Sequence, residues 1–298
     1  MPQLHRISLV VAALSVLKCT ALHQQHGQKF LQTRRGFDSV PFCQFGRRVG
    51  FNDSVAVYIN SDNSRSFSFG AEDTGTQSQI SCNGPVPSHC ASRLSSNPRQ
   101  ISSCEEVSCS CKADASSLQF VYMKKMMQEA VPLCEVQASN FQMLMIGLGG
   151  GALPEYLLAH CPEGTSVESV EYDPRVIDVA TKFFGLRVAP GVSEIENNDG
   201  GKSVQARAAA GKKYDLILVD CFQSEGYVPD SCRDEAFVSG LHALLKSGGV
   251  AIQQVWGGQY KETLSTYQHV FGQEHAIGID AELEVSWLIK ASLASAIG

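Results

Sequence analysis

From residue 142 onward the chain alternates between two hydrophobic rhythms. Short apolar runs bounded by polar residues mark strands: "QMLMIG", "SVESVEYD", the weaker "VSEIEN", "YDLILVD", "GGVAIQQVW" and, near the end, "LEVSWLIKA". Between them, "PRVIDVATKFF" and "DEAFVSGLHALLK" repeat their apolar residues every three or four positions, as does a helix beginning at Pro154, where proline suits the first turn. Strands alternating with helices predict a parallel sheet covered on both faces. Residues 117–298 are therefore read as a Rossmann-like, doubly wound, mostly parallel α/β domain. A lead-in helix over 116–133, "SSLQFVYMKKMMQEAVPL", places Leu118, Val121, Tyr122, Met126 and Val131 at helical spacing, with its methionines as core filling.

The front of the chain has a different texture. "SVAVYIN" and "RSFSFG" alternate as strands do, whereas "GPVPSHCASRLSSNPRQISS" is punctuated by Pro, Ser and Asn. Residues 53–116 thus predict a small Cys-rich β and loop region, and 22–52 a flexible leader. At the start, Arg6 precedes the apolar run Ile7–Leu17, followed by small residues at Cys19 and Ala21. Residues 1–21 read as a signal peptide, since a run of eleven residues is too short to span a bilayer; the rival reading is a short apolar helix packed on the domain. Cleavage after Ala21 removes Arg6, Lys18 and no acid, taking the formal charge from −6 to −8. No later stretch is long enough to span a membrane. The basic segment that follows, "HQQHGQKFLQTRRGF", also suits a two-part organelle address. The expected location is therefore the secretory route, secreted or in an organelle lumen.

A net charge of −6, with no Lys or Arg run longer than two, argues against nucleic acid as the partner. Six of the cysteines fall between 43 and 111: Cys43, Cys82, Cys90, Cys104, Cys109 and Cys111. Such density in a Ser/Gly/Asn-rich stretch predicts disulfides formed in an oxidising compartment. Zinc is the rival, but only Cys109-x-Cys111 is close-set and no Cys-x-x-Cys exists, so no metal site is expected.

The candidate chemistry sits in "MLMIGLGGGALPEYLLAH", residues 143–160, where glycines let a backbone approach a ligand at a helix N-terminus. Gly147-x-Gly149-x-x-Ala152 fits a dinucleotide loop, and Gly147-x-Gly149-x-Gly151 fits the looser loop of adenosylmethionine enzymes. Glu171 ends the second strand, where a carboxylate can accept both ribose hydroxyls. Asp199, after the third strand, is placed for an adenine amino group, and Asp220 ends the fourth strand at the cleft. Three acids at successive strand ends suit ribose, adenine and a cationic amino acid tail, and suit a pyrophosphate poorly. The competing reading makes Glu171 and Asp199 caps of the following turn and helix.

These stretches, together with "VESVEYDPRVIDVATKFFGL", "YDLILVDCFQSEGYVP", "LLKSGGVAI" and the lead-in "LQFVYMKKMM", resemble spermidine synthase-like proteins of the class I S-adenosylmethionine-dependent methyltransferase superfamily. The resemblance covers about 116–290. It implies S-adenosylmethionine as cofactor, held by Gly147, Gly149, Gly151, Glu171 and Asp199, with Asp220 as the base toward an attacking amine. Two departures matter. Aminopropyltransferases carry an acid in the glycine loop where Gly150 stands, and a second acid after the fourth strand where Gln223 stands. Polycationic amines need anionic partners, so both losses count against polyamine synthesis. The ordinary methyltransferase loop has an acid where Met145 stands, so that pattern is incomplete too.

Three readings follow: methyl transfer, aminopropyl transfer with Asp220 as base, and a catalytically silent nucleotide-binding relative. The acceptor, small molecule or protein, is not readable. His160 and His242 fall on helices as surface or core residues, and Cys221 reads as a packed thiol rather than a nucleophile. The resemblance also allows a homodimer paired through N-terminal β structure.

Overall fold

The computed structural model describes residues 41–46, 53–60, 62–70, 76–95, 102–136, 140–224, 226–282 and 285–294. The expected signal peptide, 1–21, and most of the expected leader lie outside them.

Cys-rich strands come first: β1 (Cys43–Phe45), β2 (Val55–Ile59), β3 (Arg65–Phe69), β4 (Ser78–Ile80), β5 (Cys82–Asn83), helix α1 (Ser88–Ser95), β6 (Ser102–Ser103) and β7 (Lys112–Ala113). They form a five-stranded sheet in the order β4-β3-β2-β1-β6 and a β5–β7 ribbon. Three disulfides, Cys43–Cys104, Cys82–Cys111 and Cys90–Cys109, close this module. A module this small buries little apolar surface, and cross-links are the usual remedy. β1 falls inside the stretch read as leader: three residues are too few for alternation to register, but Cys43 and Phe45 are fully buried. α1 lies in the stretch read as loop and begins where the Pro87 carbonyl accepts the N–H groups of Cys90 and Ala91.

The larger domain continues with α2 (Val121–Val136), β8 (Gln142–Ile146), α3 (Ala152–His160), β9 (Ser166–Glu171), α4 (Pro174–Lys182), β10 (Ser193–Asn197), α5 (Gly200–Ala209) and β11 (Tyr214–Val219). After a 3-10 turn at Asp230–Cys232 come α6 (Glu235–Leu244), β12 (Leu245–Trp256), α7 (Gly257–Phe271), β13 (Ala276–Glu282) and β14 (Ser286–Ser292). The seven strands run in the order β10-β9-β8-β11-β12-β14-β13. The first five are mutually parallel, and β14 runs antiparallel to both its neighbours, β12 and β13. The sheet is Rossmann-like, as the alternating rhythms predict.

Period-two alternation fixes the two layers. Leu144 and Ile146 of β8, with Ile217 and Val219 of β11, face the core under α5, α6 and α7. Met143 and Met145, with Leu216 and Leu218, face α2 and α3. Within α2 the buried stripe is Met123, Met126, Met127, Ala130 and Cys134. Val121, expected in that stripe, is 43% exposed. Cys134 is disulfide-bonded to Cys161 just past α3.

The small module packs on α4. Phe45, Val57 and Phe67 share a core with Val176, Val179, Phe183 and Phe184. Arg175, fully buried, pairs with Asp173 and donates to the carbonyl oxygens of Gly46 and Asp53 across the junction. Among the described residues no helix is long and apolar enough to cross a membrane.

Candidate active site

The chain leaves β8, builds outward to β10, then returns to place β11 on the other side of β8. That reversal opens a crevice at the carboxyl ends of the strands, the usual ligand position in such sheets. A cavity of about 300 Å³ lies there.

The glycine cluster clears space for several different things. Gly147 adopts φ +85°, and a Cβ there would stand 2.2 Å from the Asp220 carbonyl oxygen, so this glycine lets β8 and β11 close up at the cleft. Gly150 yields to protein rather than ligand. Its Cβ would lie 2.2 Å from the Phe184 ring and 2.9 Å from Ser78 Oγ, which already accepts the Gly150 N–H at 3.0 Å. Gly151, the N-cap of α3, faces the Leu186 side chain. Gly147 and Gly149 line the cavity; Gly151 is not among its lining residues.

The three acids part company in the same way. Glu171 lines the cavity at the end of β9, its Oε2 accepting from Leu148 N and its Oε1 from Asp173 N, both at 2.9 Å. Burial pushes its carboxyl above the usual range, Asp173 adds repulsion, and the backbone N–H groups oppose the shift. Asp199 caps α5 by accepting from Lys202 N at 2.9 Å. It does not line the cavity, although its neighbour Gly200 does. Asp220, just past β11, lines the cavity and accepts from Tyr122 Oη at 2.9 Å through Oδ2. Burial raises its carboxyl to about 6, the Tyr122 hydrogen bond pulling the other way. The Tyr122 phenol is itself pushed well up by burial, then by the Asp220 charge.

Strands stand about 4.8 Å apart, so the cavity divides along the sheet edge. At β9 and β8 lie Glu171, Val170, Tyr172 and Gly147. At β11, β12 and β14 lie Asp220, Phe222, Gln254, Trp256 and Ser286. Gln254 Nε2 donates to Ser286 Oγ at 2.9 Å. Aromatic rings crowd this second half: Phe120 stacks on Tyr122 and Phe222 meets Trp256 edge-on, each pair at 6.0 Å. Phe67, Phe69 and Gln77 of the small module complete the wall.

Cys221, beside Asp220, is bonded to Cys232 rather than free. Single-sequence patterning holds no sign of that pairing, because the partners lie in a loop of no fixed period. The loop between them is held further by Gln253 Nε2 donating to Cys232 O at 2.8 Å, and by the Gln259 amide, whose Oε1 accepts from Val228 N and whose Nε2 donates to Val228 O. Sequence reasoning missed Tyr122, Gln254 and Trp256 as site residues. The pair Gln253–Gln254 inside an apolar strand was the available signal, since buried amides need partners. His160 stacks on Tyr156 and His242 meets Phe271 edge-on; neither lines the cavity.

The chain is 31% identical over 143 residues to a polyamine aminopropyltransferase of Vibrio vulnificus, covering 47% of each chain. It is 36% identical over 126 residues to the eEF1A lysine and N-terminal methyltransferase of Xenopus laevis, covering 40% of this chain and 18% of that one. It thus spans about half, or less, of the length of these curated relatives. In fold it is similar to the crystal structure of a probable spermidine synthase from Corynebacterium glutamicum, with a TM-score of 0.61, 17% identity, and coverage of 83% and 80% of the two chains. Residues 119–285 match the spermine/spermidine synthase domain, and the chain belongs to that family.

Proposed function

We propose that the cavity binds S-adenosylmethionine and that the protein is a methyltransferase whose acceptor sits beside Asp220. The residues fit the nucleoside part of that cofactor. Glu171 offers a carboxylate at a strand end, with Val170 and Val176 beside it to cover a flat base. Gly147 and Gly149 keep side chains out of the approach. When bound, the cofactor supplies an electrophilic sulfonium methyl group. Asp220 takes the acceptor's proton or orients its amine, and the aromatic rings exclude water and hold the acceptor in line. Asp199 contributes through the frame, fixing the turn that presents Gly200.

One observation favours methyl transfer over aminopropyl transfer: the space at Gly150 is filled by Phe184 and Ser78. An acid at this loop position, as aminopropyltransferases have, has no room here. Gln223 in place of the second acid points the same way. Two kinds of relative keep both chemistries in view, a named aminopropyltransferase and a named protein methyltransferase. Calorimetric titration with S-adenosylmethionine and with its decarboxylated form decides. Preference for the first supports methyl transfer, preference for the second supports aminopropyl transfer, and binding of neither supports a silent relative.

The five disulfides among the described residues fit an oxidising environment. Residues 1–21 as a signal peptide, 22–52 as a leader, and a secreted or organelle-lumen protein complete the reading, with pairing through the small sheet as its form of homodimer.

A further inference from the structure

Among the described residues, the half of the cavity at β11 and β12 is lined mostly by rings and neutral groups. Its carboxylate is Asp220; Glu171, the other carboxylate among the described lining residues, stands two strands away, about 10 Å by strand spacing. Tyr122 touches Asp220, and Phe120, Phe222 and Trp256 line the same cavity. Ring faces attract a cation that an anion also holds, and apolar walls favour a body without further charge. A second ammonium carried past Asp220 would meet rings and the Gln254–Ser286 pair, with no acid beside it among the described residues.

We propose that this half of the cavity is the binding site for a monoamine: one ammonium on Asp220 and an apolar body, aromatic in size, among Phe120, Phe222 and Trp256. The inference rests on the methyl-transfer reading only in treating this ligand as the acceptor; the site itself is testable without turnover. Tyr122 holds the Asp220 carboxylate from one side, leaving the other oxygen for the amine. The raised carboxyl is the state expected of an acid that gains its charge partner only when the ligand arrives.

The test is calorimetric titration of the full, oxidised chain with phenethylamine, 2-phenylethanol and putrescine, each with and without S-adenosylhomocysteine. Phenethylamine should bind more tightly than 2-phenylethanol by about ten- to a hundred-fold, the range of a charge-assisted contact, and more tightly than putrescine. In Asp220→Asn the amine and the alcohol should bind alike, while retained alcohol binding reports an intact pocket. Phe222→Ala should weaken both. Equal binding of amine and alcohol in the unsubstituted protein, tighter binding of putrescine, or no amine binding alongside bound S-adenosylhomocysteine would each overturn the proposal. Failure of S-adenosylhomocysteine to bind while phenethylamine binds would instead remove the cofactor assignment and leave the amine site standing.

Discussion

At the residue scale the proposed chemistry turns on Asp220. Held near 6 by burial, its carboxylate is populated only above about pH 6, so turnover should rise through that pH. Tyr122 favours the charged form, so Tyr122→Phe should move this limb to higher pH. Asp220→Asn should abolish the limb and lower turnover by about 10²–10⁴-fold, with cofactor affinity nearly unchanged. A pH–rate profile of the three proteins checks all of this. The same shift bears on stability. A folded pKa of about 6 against about 3.9 unfolded is a cost absent below pH 4, growing between 4 and 6, and complete above. Asp220→Asn should therefore stabilise the protein at pH 7, by at most about 3 kcal/mol, and leave it unchanged at pH 4. Gly150→Asp, which restores the acid of aminopropyltransferases, should not restore their chemistry. With Phe184 and Ser78 in its place it should destabilise by about 1–3 kcal/mol in urea titrations, the usual cost of overpacking.

At the scale of elements, β9 delivers Glu171 to the cleft with both carboxylate oxygens already accepting backbone N–H groups. Glu171→Gln should weaken S-adenosylhomocysteine binding by about 1.5–3 kcal/mol in calorimetry. Unaltered affinity would remove Glu171 from the site. Elements with a strong period were legible in the sequence. β8 and β11 each bury both faces and read as apolar runs; β9 and α4 showed their rhythm and the Asp173–Pro174 start between them. β13 and α7 were not, although the other edge strand, β10, was read from "VSEIEN". β13 carries Gly278 and acids because it has one neighbour and one open side, and α7 opens on two glycines without an acidic cap. Among site residues, strand-end acids were visible because topology alone puts them at the cleft. The distinction between Asp199 as ligand and as cap was not, since both need the same residue at the same position. Tyr122 was hidden by its helical spacing, which it shares with core residues.

For the whole molecule, the two parts are stiffened in different ways. The small module depends on Cys43–Cys104, Cys82–Cys111 and Cys90–Cys109, and losing such a bond typically costs about 2–5 kcal/mol. The larger domain has a seven-stranded core and should outlast it. Mild reductant should therefore raise amide hydrogen exchange in β1–β4 before it does so in β8 and β11. Simultaneous loss of protection in both would mean that the module has no stability of its own.

The described disulfides close within one part or the other; none ties the module to the domain. The cavity lies across that unstapled seam, with Phe67, Phe69 and Gln77 on one side and Glu171 and Asp220 on the other. On the domain side, the Cys221–Cys232 ring limits how far Phe222 and Gly226 can swing away. Parting of the seam would widen the cavity while each half kept its shape. Residence time should then respond to substitutions at Gly150, Phe184 and Arg175, none of which lines the cavity, without any change in what is recognised.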